Sequence, residues 1–476
     1  MAIWNITTQD YLNQERSLFE VFNVATKDGV EVSTDNPFPV TGTVGISSET
    51  VITINPDTNA VDAFGRGRVS EPFTLGDYKH LYAIDPNFLD SVSGAGSSVI
   101  FLQNQACARL QTGIGSTAYS VHQTKFYHHY QPGKGQLIFS SFNFYAPQRN
   151  ATKRTGYFDD RDGIYFEQVG LNTSDGINPG IGTNNWVIRT FTSGIATETR
   201  IPQSQWNRDK CDGTGTSGFN LDITKTQLAF IDFQWLGVGR VRCGFAHDGQ
   251  LITAHEFFHS NNLATVYIAN PNLPVRCEIR NTGVGIGASF DQICSSVMSE
   301  GGYVESGIDF AYTMTTTRTT PTPAGTELPL VAIRLKNTFQ GYPNRISVKL
   351  NNLSLFCETN SIVYKVVKLP SSAYLSNAGT LTWTSASDNS GIEYCINATT
   401  YSDGDVFASG YVPSGASQNS LSPVASGTLS QAKKNIIVQN IDSTNSEIYV
   451  IVVRTITTTG NATAAVAAAL QWREIY

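Results

Sequence analysis

Charge is scarce in this sequence: only 15% of its 476 residues are Asp, Glu, Lys or Arg, and no basic run occurs. With a formal net charge of −7 there is no stripe for neutralising phosphates, so nucleic-acid binding is not expected. Methionine occurs three times, and long Leu, Ala, Glu and Lys segments at helical spacing are missing, which excludes a helical bundle. No apolar run reaches the roughly 20 residues of a membrane helix. The opening Met1-Ala2-Ile3-Trp4-Asn5 soon meets Asp10 and lacks the charged-then-apolar layout of a secretory leader, so neither membrane insertion nor export is expected. Seven cysteines (Cys107, Cys211, Cys243, Cys277, Cys294, Cys357 and Cys395) are scattered without close pairs. That spacing excludes a zinc ribbon or a disulfide framework and fits reduced thiols made in a cytosol. No period of about 20–50 residues repeats, which removes solenoids and propellers.

Glycine (41), Phe (25) and Tyr (20) are plentiful, among frequent Ser, Thr and Asn. Aromatic and β-branched residues suit a pleated sheet, while Gly, Asn and Asp suit tight turns, so many short strands are expected. The length implies two to four domains. Residues 1–70 read as an extended, polar arm or docking module, with β-prone pieces at Val40–Val44 and Glu49–Ile54. Within it, Arg16–Val24 is expected to form a short amphipathic helix from the placing of Leu18, Phe19 and Phe22.

Residues 71–315 read as a procession of strands, among them Ser98–Leu102, Gln136–Tyr145, Ile164–Gln168, Trp186–Thr192, Gln227–Trp235, Gly239–Ala246 and Leu251–Phe258. Such spacing predicts an antiparallel β-sandwich or jelly roll. Asp162-Gly163 and Asp248-Gly249 each stand between strand-like runs and predict type I′ hairpin turns. The Thr- and Pro-rich stretch from Met314 to Glu327 predicts a connector, with the linker at 316–327. A second β-sandwich is expected over 328–476, its Ala-rich end at Ala464–Trp472 being either a helix or a last strand.

His255-Glu256-Phe257-Phe258-His259 matches H-E-x-x-H, in which two histidines one helical turn apart hold zinc and the glutamate activates water. The surrounding signal is strand. Four residues of strand span roughly 13 Å, whereas each ligating nitrogen must lie about 2.0–2.1 Å from the metal. The simple two-residue turn at Asp248-Gly249 predicts Arg242 opposite His255 and Val241 opposite Glu256. No metal ligand and no cofactor are expected.

The acidic hairpin around Asp159, Asp160 and Asp162 presents a second candidate, because paired carboxylates hydrolyse glycosides. A two-residue turn would put Asp160 and Glu167 on one side of the hairpin; the plainer reading is a solvated tip. A calcium loop fails on spacing. His128-His129 lies in an aromatic strand and is expected to send its rings to opposite faces. Asn172-Thr173-Ser174 and Asn397-Ala398-Thr399 are glycosylation triplets only in a secretory lumen, and no Walker or Rossmann fingerprint follows a strand.

Two stretches carry a resemblance: Asp62–Leu75, reading DAFGRGRVSEPFTL, and Ile231–Phe245, reading IDFQWLGVGRVRCGF, with Asn261-Asn262-Leu263 beyond. Together they resemble uncharacterised virion structural proteins of tailed phages, marine and cyanobacterial ones above all, over roughly residues 60–350. The resemblance implies a concanavalin-A-like jelly roll and a role in the particle, assembled in the host cytoplasm, without a catalytic residue.

The expectation is therefore an all-β, non-enzymatic particle protein, whether head decoration, fibre or tail-associated, that assembles as a homo-oligomer, a trimer for instance, with other virion proteins. One alternative is an adhesin that recognises host-surface glycans through the central domain, with Asp160, Glu167 and the loop aromatics Trp206 and Tyr401 as ligand-binding residues. The other is a polysaccharide-degrading enzyme.

Overall fold

Strand after strand satisfies its backbone by antiparallel pairing, and no α-helix occurs among the described residues. The computed structural model describes residues 26–27, 30–31, 72–170, 182–192, 195–414, 416–421, 436–457 and 459–476. The chain divides into two compact units, Met1–Val61 and Asp62–Tyr476. In the first, Thr26–Lys27 pairs with Val30–Glu31. The short helix expected at Arg16–Val24, the β-prone pieces at Val40–Val44 and Glu49–Ile54, and most of the Asp62–Leu75 segment lie outside the described residues, as does Asn172.

In the second unit the first sandwich has a seven-stranded sheet in the order Ile195–Pro202, Gly182–Thr192, Gly163–Gly170, Ala151–Phe158, Val275–Asn281, Tyr119–Thr124 and Phe88–Ser93. Opposite lies a sheet in the order Gln250–Phe257, Val241–His247, Gln227–Phe233, Gly135–Asn143, Ala288–Glu300, Cys107–Thr112 and Ser98–Leu102, with Phe73–Lys79 also paired to Ala288–Glu300. The chain crosses between the sheets several times in jelly-roll fashion, while Ala151–Pro202 and Gln227–Phe257 each run as consecutive antiparallel strands within one sheet. The inward faces bury Phe142, Phe144, Phe166, Trp186, Phe245 and Phe290 in one core, each worth about 1.5–3 kcal/mol when fully buried.

Two of the predicted turns fared differently. Asp248 and Gly249 do adopt positive φ (49° and 76°) between His247 and Gln250, a two-residue turn. At the other, Phe158 pairs with Gly163, so a four-residue loop, Asp159–Asp162, replaces the turn expected at Asp162-Gly163. Glycine is required at 244, where an added Cβ would meet the Ile252 carbonyl oxygen at 1.9 Å.

The second sandwich packs two six-stranded sheets, one built on Ser347–Cys357 and Ala465–Ile475, the other on Leu328–Leu335, Ile448–Thr455 and Ile362–Leu369. The Ala-rich end is a strand. The expected linker is corrected: Ile308–Thr313 and Arg318–Thr319 both pair with Ala465–Ile475, Met314 sits in the core, and Arg318 donates to the carbonyls of Leu330 and Ala398. Threonine and proline at a sheet edge give the same composition as an extended connector.

The sandwiches meet through Phe126 against Ile436 and Val438, the Lys125–Glu447 pair at 3.2 Å, and Arg161 between the rings of Phe191 and Tyr342.

Candidate functional site

The strand Gln250–Phe257 decides the H-E-x-x-H question. Its register runs regularly from the turn to Thr253 opposite Gly244, then shifts, so that His255 faces Cys243 and Glu256 faces Arg242. The expected pairing of Arg242 with His255 is therefore off by one. The extra residue is Ala254, whose carbonyl accepts from the backbone amides of Arg208 and Asp209, both at 3.1 Å. A loop arriving from elsewhere thus satisfies the carbonyl that a β-bulge leaves unpaired.

Around it the three motif side chains find separate partners. His255 Nδ1 accepts from the Asn207 amide at 3.3 Å, Glu256 binds Arg208 at 2.6 Å, and His259 Nδ1 donates to the Gly239 carbonyl at 2.7 Å. Burial pushes His255 down to about 4, favouring its neutral form. No group of metal-ligating side chains assembles among the described residues. Adding zinc or a chelator should leave the thermal unfolding midpoint of the whole chain unchanged, a null result readable by scanning calorimetry.

The acidic hairpin departs from both sequence readings. Asp159 and Asp162 are buried rather than solvated. Asp159 Oδ1 accepts from the amides of Arg161 and Asp162, and Asp162 Oδ1 from those of Ala269 and Phe191, at 2.7 and 3.3 Å. Burial raises the Asp162 carboxyl to about 6. A carboxyl raised in the fold adds stability below its unfolded pKa and loses it as pH rises through the folded one. The stability of the native chain relative to Asp162→Asn should therefore fall between about pH 4 and 6 and stay level above, as read by urea midpoints.

Asp160 and Glu167 do not form a pair. Asp160 is exposed at the loop and bound by Arg276 at 2.7 Å, while Glu167 is wholly buried in its strand between Arg154 (2.8 Å) and Arg200 (2.8 Å). Both belong to a larger lattice on the face of the seven-stranded sheet turned away from the core. Arg154 reaches Glu167 and, at 3.0 Å, Glu278; Arg276 and Arg280 each reach Glu278 at 2.5 Å; Arg189 and the Tyr165 hydroxyl hold Glu198 at 2.6 and 2.8 Å. Phe158 and Tyr165 lie beneath the guanidinium groups of Arg276, Arg189 and Arg154.

Period-two alternation builds this lattice. Arg276, Glu278 and Arg280 project from one strand at two-residue steps, and antiparallel register sets Glu278 beside Arg154 and Arg154 beside Glu167. Burial alone would raise the carboxyls of Glu278 and Glu198. The charges of Arg276, Arg280 and Arg154 overcome that at Glu278 and hold it far below the usual carboxylate range. Hydrogen bonds from Arg189 and Tyr165 bring Glu198 to about 2. A carboxylate held this way serves poorly as a proton donor, since a general acid needs a pKa near the working pH.

The loop aromatics separate. Trp206 is not a stacking platform: it is 3% exposed, packs in the core near Trp186 and Phe245, and donates its indole N–H to the Ile201 carbonyl at 3.1 Å. The loop that carries it folds inward. Tyr401 is half-buried at an open groove of the second sandwich, its hydroxyl donating to Glu327 at 2.6 Å. Of the sequence candidates, Asp160 and Glu167 share one lattice, and Tyr401 stands apart in the other sandwich.

No family model and no curated protein matches the sequence. Among solved structures the chain is similar to a β-1,3-glucanase from Mycobacterium marinum (11% identity, 47% of this chain and 98% of that one, TM-score 0.31). A glycoside hydrolase family 16 endo-glucanase from Bacteroides ovatus matches at 8% identity, 47% and 99% coverage and TM-score 0.31. The CBM2 module of an evolved Dit from Lactobacillus casei BL23 phage J-1 matches at 6%, 49% and 99%, with TM-score 0.30. At such identities and TM-scores none of them assigns an activity or a ligand to this chain.

Proposed function

We propose that the chain is a non-enzymatic structural protein on the surface of a tailed-phage particle, acting by assembly with further copies of itself and with neighbouring virion proteins. One observation carries the non-enzymatic part: Glu167, Glu198 and Glu278, the glutamates that line the second face of the seven-stranded sheet, are all neutralised by arginine. Stiffness rather than proton transfer follows from such a lattice.

The particle role draws its support from the hairpin resemblance at Ile231–Phe245 and from apolar side chains left at loop ends. Leu236, Phe258, Leu263 and Val266 are exposed where two loops touch through Gly237 and Val266. Exposed apolar residues gathered in this way suit contacts between subunits. A closed homo-oligomer, a trimer in the simplest case, assembled in the host cytoplasm, is the form this reading takes.

Fitting the chain into electron-microscopy density of the intact particle is the test. Repeated, symmetric copies on the outer surface are expected; particles that lack the chain would overturn the proposal. A second reading, host-glycan recognition, is favoured by the open groove beside Tyr401 in the second sandwich.

A further inference from the structure

We infer that this groove, lined by Glu327, Val367, Thr400, Tyr401, Asp403 and Val406, is a binding site for a neutral, hydroxyl-rich saccharide ring. The inference rests on the glycan reading and gives it a place. It lies in the second sandwich, away from the arginine lattice.

The groove arises from local backbone features. Val367 faces Val406 across the edge pair, and the register shifts between Val366 and Val367, a bulge that breaks the regular edge. Asp403 and Gly404 both have positive φ (60° and 101°) and turn the chain sharply between Tyr401 and the strand Asp405–Val412. The groove is open to solvent, with a volume of about 430 Å³, so a ligand would lie along it rather than be engulfed.

The lining selects the ligand class. Glu327 is already engaged on both oxygens, by Lys365 at 2.5 Å and by the Tyr401 hydroxyl at 2.6 Å, which fixes the phenol ring at the groove. A ring held in place before binding costs little further side-chain entropy. Val406, 52% exposed, offers an aliphatic surface, while Asp403 offers carboxylate oxygens to hydroxyl donors; the Thr400 hydroxyl is already shared with Ser376 at 2.6 Å. None of the lining side chains is cationic, and the Lys365 ammonium beside them is taken up by Glu327, so the groove favours uncharged ligands over anionic ones. Aliphatic and aromatic walls with oxygen acceptors at the rim match the apolar ring faces and outward hydroxyls of an uncharged sugar.

The full chain is screened on an array of neutral and acidic bacterial-envelope oligosaccharides, and each retained glycan is titrated against Val406→Trp and Asp403→Asn. Both positions are exposed, and asparagine tolerates the left-handed backbone at 403. Retention of a neutral glycan is expected, with binding abolished by Val406→Trp, which fills the groove, and weakened about tenfold by Asp403→Asn. Retention unaffected by either variant would overturn the groove while leaving glycan recognition elsewhere on the chain. Retention of acidic glycans alone would overturn the ligand class, and no retention at all would overturn the groove and the glycan reading together.

Discussion

Replacing Arg154 by methionine should lower the stability of the first sandwich by about 3 kcal/mol, near the low end of the cost of breaking a buried ion pair. Its guanidinium joins Glu167 and Glu278, which are 0% and 1% exposed, and removing it strips a partner from both. The loss stays near that lower bound because Arg200 still reaches Glu167, and Arg276 and Arg280 still reach Glu278. Arg154→Met combined with Glu167→Gln should recover part of the loss, since Glu167, left with Arg200 as its one arginine, loses its buried charge along with the first arginine. Urea unfolding of the single and double variants measures both. A loss below about 1 kcal/mol, ordinary for an exposed pair, would mean that the lattice is solvated.

Lys153 should give a large pH effect above neutrality. Its side chain points into the core, wholly buried, and donates to the carbonyls of Phe144 and Ala146. Burial without a carboxylate partner pushes its ammonium down to about 7. For a base depressed in the fold, the unfolded chain holds more protons between the two pKa values, so stability rises with pH from about 7 towards 10.5 and is lowest below 7. The full span corresponds to roughly 4–5 kcal/mol at 1.36 kcal/mol per pKa unit. Lys153→Met removes this dependence. At pH 7 or below the variant should be the more stable by about 2 kcal/mol, after the cost of leaving carbonyls unpaired. The advantage should shrink and then reverse as pH approaches 10. Denaturant midpoints of the two proteins across that range decide it, and parallel curves would contradict a buried ammonium.

Much of the fold could be read from short-range pattern. Strand composition marked Trp186–Thr192, which lies within the strand Gly182–Thr192, and Asp248-Gly249 supplied a two-residue turn, because both signals depend on near neighbours. What failed depended on distant ones. The register beyond Thr253 shifts because a loop some 45 residues earlier binds the Ala254 carbonyl, as bulges commonly answer tertiary contacts. Trp206 read as a loop aromatic, yet the loop closes over the core.

The arginine lattice was only half visible. Glu167 and Asp160 were read as a hairpin pair, but partners of both come from beyond the hairpin: Arg276 is 116 residues from Asp160 and Arg200 is 33 from Glu167 in sequence. One signal was present. Arg276-Cys277-Glu278-Ile279-Arg280 alternates charge with apolar residues, which on a strand puts all three charges on one face and both apolar side chains in the core.

Whether the second face of the seven-stranded sheet is inert rests on the ionisation of its glutamates, which carbon-13 titration of their side-chain carboxyls reads directly in the intact chain. Glu198 should titrate near pH 2, with Glu278 ionised to still lower pH. Either carboxyl taking up its proton above about pH 5 would provide the acid that glycoside cleavage needs, and would contradict a purely structural role.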